Sequence, residues 1–185
     1  MKRIENWENI SEKGTNSFSR IPDGAYIVQI KNATDLPEKE CLRIEYDIFK
    51  GEYKDYFAKQ YTKDTRPNKR WQGSFVKSYK QSALSFFKGF ISCVEKSNKG
   101  YVYDFDENTL KGKVLGIVIG TEEYISNTGK LKEHEYVYQV HSVEAIEKGN
   151  FTVPEIKRVD GAKAHAEIPT PTSNPFVSDD TNPFI

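Results

Sequence analysis

The sequence predicts a mainly β domain built as three strands, one long helix and two further strands. Three observations carry this. Apolar residues alternate with polar ones at period two near residues 25–31 and 42–49. A long stretch from Ser74 to about Ser97 repeats its apolar residues at helical spacing. An aliphatic run beginning at Val114 is followed by a turn signal and a second alternating segment.

In chain order, Pro22-Asp23-Gly24 forms a turn, and Tyr26, Val28 and Ile30 then line one face of strand one. Residues 32–39, with Asp35 and Pro37, read as a loop. Leu42, Ile44, Tyr46 and Ile48 alternate with Arg43, Glu45, Asp47 and Phe49 in strand two. Lys50-Gly51 turns the chain, and the aromatic-rich segment 53–61 reads as strand three of a hairpin. Ser74 is the expected helix N-cap, and Val76, Ala83, Phe87, Phe90, Ile91 and Val94 share one wheel face, with Tyr79 and Phe86 on its flank. Lys80 falls toward that face and snorkels out along its stem. Asn98 to Gly100 stops the helix. An acidic connector (Asp104, Asp106, Glu107) leads to strand four, Val114 to Thr121. Asn127-Thr128-Gly129-Lys130 is a hairpin turn, and strand five spans roughly 132–146.

The predicted domain covers residues 21–153. Before it, residues 1–20 form a polar arm with Trp7, Ile10 and Phe18 as isolated anchors. After it, residues 154–185 form a tail, and from Gly161 Ala, Pro, Thr, Ser and Asn leave too few apolar residues to fold. Three strands, a helix and two strands is the order of an OB-fold, a five-stranded barrel plugged by its helix. The rival is a small α+β sheet with the helix on one face. The OB-fold is preferred because both strand–strand links read as hairpins and no crossover is needed. Its ligand loops would be residues 31–39 and 126–132, the second bringing Lys130 and Lys132.

Charge is distributed unevenly. The chain is formally neutral, with a pI near 6.8, which argues against a general polyanion binder. Yet residues 59–80 hold seven cations (Lys59, Lys63, Arg66, Lys69, Arg70, Lys77, Lys80) against Asp64 alone, a local charge of +6. Tyr61, Trp71, Phe75 and Tyr79 lie among them. Cations hold phosphates and flat rings stack on unpaired bases, so this interleaving points to a single-stranded nucleic acid. The plainer alternative is a solvated basic loop followed by a helix with core aromatics. Phosphate contacts are assigned to Lys59, Lys63, Arg66, Lys69 and Arg70, and stacking to Trp71, Tyr61 and Tyr56.

The last seven residues, Asp179-Asp180-Thr181-Asn182-Pro183-Phe184-Ile185, resemble the acidic tip of bacterial-type single-stranded DNA-binding proteins. The segments G-A-Y-I-V-Q-I, R-I-E-Y-D-I-F-K-G-E-Y and K-G-F-I look like phage-encoded members of that family. The resemblance implies an OB-fold that coats single-stranded DNA during phage replication or recombination, in the host cytoplasm. It also implies that Asp179, Asp180, Pro183, Phe184 and Ile185 dock replication or recombination proteins, and a homo-oligomer fits the family. Two departures stand out: Ile185 displaces the terminal carboxylate from Phe184, and only two aspartates form the acidic run.

Two readings compete. Asp23, Glu52 and Lys54 have the letters of a metal-dependent nuclease, though both segments sit at turns. The near-repeat Asn174-Pro175-Phe176 and Asn182-Pro183-Phe184 suits an adaptor that docks a peptide-binding module. His134 and His141 are not spaced as a ligand pair, and no phosphate loop or nucleophile–base set occurs, so no enzyme activity, cofactor or metal is expected. Cys41 and Cys93 lack metal spacing and fit reduced thiols. Met1-Lys2-Arg3 is followed by no apolar stretch, so no secretory leader is expected.

Overall fold

A computed structural model describes residues 20–159. The expected arm up to residue 19 and the tail from residue 160, including Asp179, Asp180, Pro183, Phe184 and Ile185, lie outside the described residues. Strands β1 (Gly24–Leu36), β2 (Cys41–Ile48), β3 (Ser74–Ser78), β4 (Val114–Ile125) and β5 (Leu131–His141) form one antiparallel sheet. Their spatial order is β3-β2-β1-β4-β5. Helix α1 (Tyr56–Lys63) follows β2, the longer α2 (Leu84–Ser97) joins β3 to β4, and the short α3 (Val143–Glu147) follows β5. The sheet is open: among the described residues β3 and β5 are its two edges and do not pair with each other.

The central strands follow their sequence pattern. Leu42, Ile44, Tyr46 and Ile48 of β2 are buried, facing Val28 and Ile30 of β1 and Leu115, Ile117 and Ile119 of β4. Phe90, Ile91 and Val94 of α2 close this core from below. β4 reads as an unbroken aliphatic run because it is covered on both faces. Its second face carries Gly116, where any β-carbon would collide with Ile146 of α3. The turn at residues 126–130 holds as expected, with Gly129 at φ 71°. Asn98 ends α2 and ties it to β4, its amide donating to the Val94 and Val114 carbonyls at 2.7 and 2.8 Å.

Several expectations are corrected. Residues 32–36 are not loop but the continuation of β1 past a bulge between Ile30 and Asn32, so only Pro37–Glu40 links β1 to β2. Residues 53–61 do not form a strand, and no hairpin turns at Gly51: the segment folds into α1. The deciding contact comes from outside it. Asp47, fully buried on β2, accepts hydrogen bonds from the amides of Phe57 and Ala58 at 2.9 and 3.0 Å. A carboxylate there satisfies helix-end donors that α1 cannot satisfy itself. Asp55, at φ 59°, turns the chain into the helix.

The expected helix 74–97 also divides. Its first residues pair with the free edge of β2, Ser74 opposite Glu45 through Ser78 opposite Cys41, so Ser74 opens a strand rather than capping a helix. Phe75 packs inward against Tyr46 and Phe90, while Val76 points out and is exposed. Lys80 precedes a short 3₁₀ turn and is exposed, and Phe86 projects from α2 into solvent. β4 runs on to Ile125, and the segment expected to extend strand five becomes α3, capped by the Ser142 hydroxyl on the Ala145 amide at 3.2 Å. Residues 154–159, assigned from sequence to the tail, lie along β4: Lys157 exchanges backbone bonds with Thr121 and Glu123 at 3.0 and 2.8 Å. Among the described residues no helix is long and apolar enough to cross a membrane.

Candidate nucleic-acid interface

Where β3 and β5 fail to meet, the seam is a cleft of about 760 Å³. Tyr46 and Phe57 form its floor, their rings edge-to-face with centroids 5.3 Å apart. One wall is α1 and the loop behind it, with Tyr56, Gln60, Tyr61, Lys63, Arg66 and Arg70. The other is the edge of β5 from His134 to Val137, with Arg20 beside it. The charged lining comprises four cations (Arg20, Lys63, Arg66, Arg70) and two carboxylates (Asp64, Glu135).

The cationic wall is fastened to β2 through buried groups. Besides the Asp47 cap, Gly73 accepts the Tyr46 amide at 2.8 Å. A β-carbon at Gly73 would lie 2.5 Å from the Tyr46 carbonyl oxygen and 2.6 Å from Phe57 Cδ2, so only glycine lets the loop come this close. Trp71 donates its indole N–H to the Tyr46 carbonyl at 2.9 Å and packs against the core. Trp71, assigned from the sequence to stacking, therefore also fills core space. Trp71 also stands outside the cleft lining, with Tyr61 5.8 Å away at a tilted angle.

Tyr61 is the open ring of the set, 38% exposed on the cleft wall. Lys69 sits over it, Nζ 4.3 Å from the ring centroid, and also donates to the Tyr61 carbonyl at 3.1 Å. Lys69 thus braces Tyr61 rather than lining the cleft. Tyr56 does line it, half-buried. Burial first, and then Glu135, raise the pKa of its hydroxyl, so it stays a neutral phenol at physiological pH.

The other cations separate into groups. Arg66 chelates Asp64, with Nη2 2.6 Å from Oδ2 and Nε 2.9 Å from Oδ1, and its hydrogen bonds hold the Asp64 carboxyl down at about 2. Lys59 is exposed on α1, donating to the Lys54 carbonyl at 2.8 Å, outside the lining. Lys77 lies 5.7 Å over the Phe75 ring, where burial lowers its pKa. The +6 stretch of sequence is therefore not one surface: its first half borders the cleft, and Lys77 and Lys80 belong to the region of β3 and α2. Lys130 is in the β4–β5 turn. Lys132 shares with His134 the face of β5 opposite Glu133 and Glu135.

Sequence reasoning missed Arg20, Gln60 and the β5 wall. Arg20 was counted in the arm, and nothing local to residues 133–137 says which strand edge they will face. Of the competing nuclease set, Asp23 accepts the Thr121 hydroxyl at 2.6 Å and Glu52 is exposed in a turn. Among the described residues no three acidic, histidine or cysteine side chains gather as metal ligands. Both cysteines are free thiols, Cys41 buried and Cys93 half-buried. No protein-family model matches the chain, and no curated protein matches it significantly.

Proposed function

We propose that this protein is a non-enzymatic, sequence-tolerant single-stranded DNA-binding protein that holds the strand in the cleft between α1 and β5. The observation that carries the reading is the composition of that cleft: an exposed tyrosine braced by a lysine, between cations, over an aromatic floor. Stacking on Tyr61 and phosphate contacts from Lys63, Arg66 and Arg70 need no particular base, and a stacking ring requires an unpaired one. The strand order, with α2 between β3 and β4, supports an OB-fold whose closing seam is left unpaired. OB-folds are partly open barrels that bind along strands two and three and the loops beside them. Strand coating in phage replication or recombination, in the host cytoplasm and with a possible homo-oligomer, rests on the sequence resemblance. So does capture of replication or recombination proteins by Asp179, Asp180, Pro183, Phe184 and Ile185.

Fluorescence anisotropy with single-stranded DNA, duplex DNA and single-stranded RNA, with and without Mg²⁺, tests the proposal. Retention of the single strand without cleavage is expected; Mg²⁺-dependent cleavage would favour the nuclease reading. Engagement of about four phosphates gives a slope of log K against log salt near −3, at about −0.7 per phosphate. A slope near zero would remove the electrostatic basis. Deleting residues 173–185 is expected to leave single-strand affinity intact and to abolish partner capture. Loss of DNA binding on that deletion would make the tail part of the DNA site.

A further inference from the structure

Residues 20 and 21 bridge the open seam. Ile21 is buried, 2% exposed, in the core cluster that also holds Phe57 of α1. Arg20 turns the other way: Nε donates to Glu135 Oε1 at 3.1 Å and Nη1 pairs with Glu133. Its guanidinium thus lies on the β5 wall, opposite Lys63, Arg66 and Arg70.

This arrangement is unusual for a cleft that accepts a polyanion. Glu135 lines the cleft, and a bare carboxylate there would repel a phosphate. Arg20 stands against it, and two carboxylates grip the guanidinium by two of its three nitrogens. Among the described residues Nη2 donates to no partner. A guanidinium carries five donors in a rigid plane, so a fork held from behind by carboxylates can still donate forward to a phosphate oxygen. The glutamates limit the side chain's rotamers before the ligand arrives, which lowers the ordering cost of the contact.

We propose that Arg20 is a phosphate-binding residue of the cleft, oriented by Glu133 and Glu135, so that the strand is gripped from the β5 wall as well as from the basic loop. The proposal rests on the DNA-binding reading and extends it to a residue outside the basic stretch. A double-mutant cycle on the full chain, read by anisotropy with a labelled oligodeoxythymidine, tests it. Arg20→Ala should weaken binding about tenfold, the loss expected of one charge-assisted hydrogen bond, and flatten the salt slope by about 0.7. The decisive arm is Arg20→Ala in the Glu133→Gln/Glu135→Gln background. A direct phosphate contact still loses about tenfold there. If Arg20 only masked the two carboxylates, the substitution would be silent in that background, and the proposal would be overturned. Arg20→Lys keeps the charge without the fork and should fall between wild type and alanine; it serves as the test if the alanine variant melts early. Wild-type binding with no loss on Arg20→Ala in the glutamine background overturns the role of Arg20 alone. Absence of wild-type binding overturns the DNA-binding reading, and this inference with it.

Discussion

The two walls of the cleft are held in place by different physics. The α1 wall is anchored through the interior: a buried carboxylate, a glycine pressed on a carbonyl, and an indole N–H bonded to β2. The β5 wall pairs its backbone along one edge only, with β4. Past Ile119, β4 itself loses β1 as a neighbour and pairs instead with the terminal segment around Lys157. The outer side-chain contacts there are ion pairs whose cations are exposed, Lys157 with Glu122 and Arg158 with Glu123. Buried bonds are costly to break because the partners left behind stay dry, whereas solvent replaces an exposed ion pair at little cost. The molecule therefore sets a firm cationic wall against a more yielding one, as the proposed sequence-tolerant binding would favour.

The largest effect should come from breaking the firm wall at its anchor. Asp47→Ala leaves the Ile48, Phe57 and Ala58 amides without their acceptor and is expected to destabilise the fold by about 3 kcal/mol, measured by urea denaturation. Single-strand affinity should fall with it, because α1 carries Tyr56, Tyr61 and Lys63. Stability unchanged within about 0.5 kcal/mol would show that the buried cap is not what holds α1.

Gly73→Ala comes next, at about 2 kcal/mol, because a β-carbon there would press on both the Tyr46 carbonyl oxygen and the Phe57 ring, so backbone or ring must shift. A crystal structure or thermal melt indistinguishable from wild type would refute the close approach.

The third experiment separates ligand from scaffold within that wall. Tyr61→Ala should weaken single-strand binding by about 1–2 kcal/mol and barely change the melting temperature, since the ring is exposed. Trp71→Ala should do the reverse in proportion, losing stability through its core packing and its bond to Tyr46. Equal affinity losses at unchanged stability would make Trp71 a stacking ring in its own right.

On the yielding wall, Lys157→Ala should cost less than about 1 kcal/mol. Hydrogen exchange should be faster for amides of residues 120–125 and 131–136 than for the paired centre of β1 and β4. Uniform protection across β4 would erase the contrast between the walls.

The smallest effect is local. The Asp64 carboxyl should titrate near 2 by NMR, and Arg66→Ala should return it toward 3.8. Because the folded pKa is the lower one, the pair's small stabilisation is complete above the unfolded value. It is lost as pH falls toward 2.

How much was legible depends on where the deciding partner lies. The central strands, the turn at residues 126–130, the end of α2 at Asn98 and the gathering of cations with rings in residues 59–71 were all readable from the sequence. In each, the pattern and its cause are a few residues apart. Three features only the tertiary structure decided. Residues 53–61 are short and aromatic, so periodicity alone left their state ambiguous; Asp47 on a neighbouring strand resolved it by capping a helix. Residues 74–78 fit a helical wheel, but the unpaired edge of β2 offered backbone bonds that a helix there would have left unmade. The cleft itself is set by an absence of pairing between β3 and β5, which brings Arg20 and Glu135 opposite Arg70. Those residues are far apart in the chain, and no local pattern records which strand edges will be left to face one another.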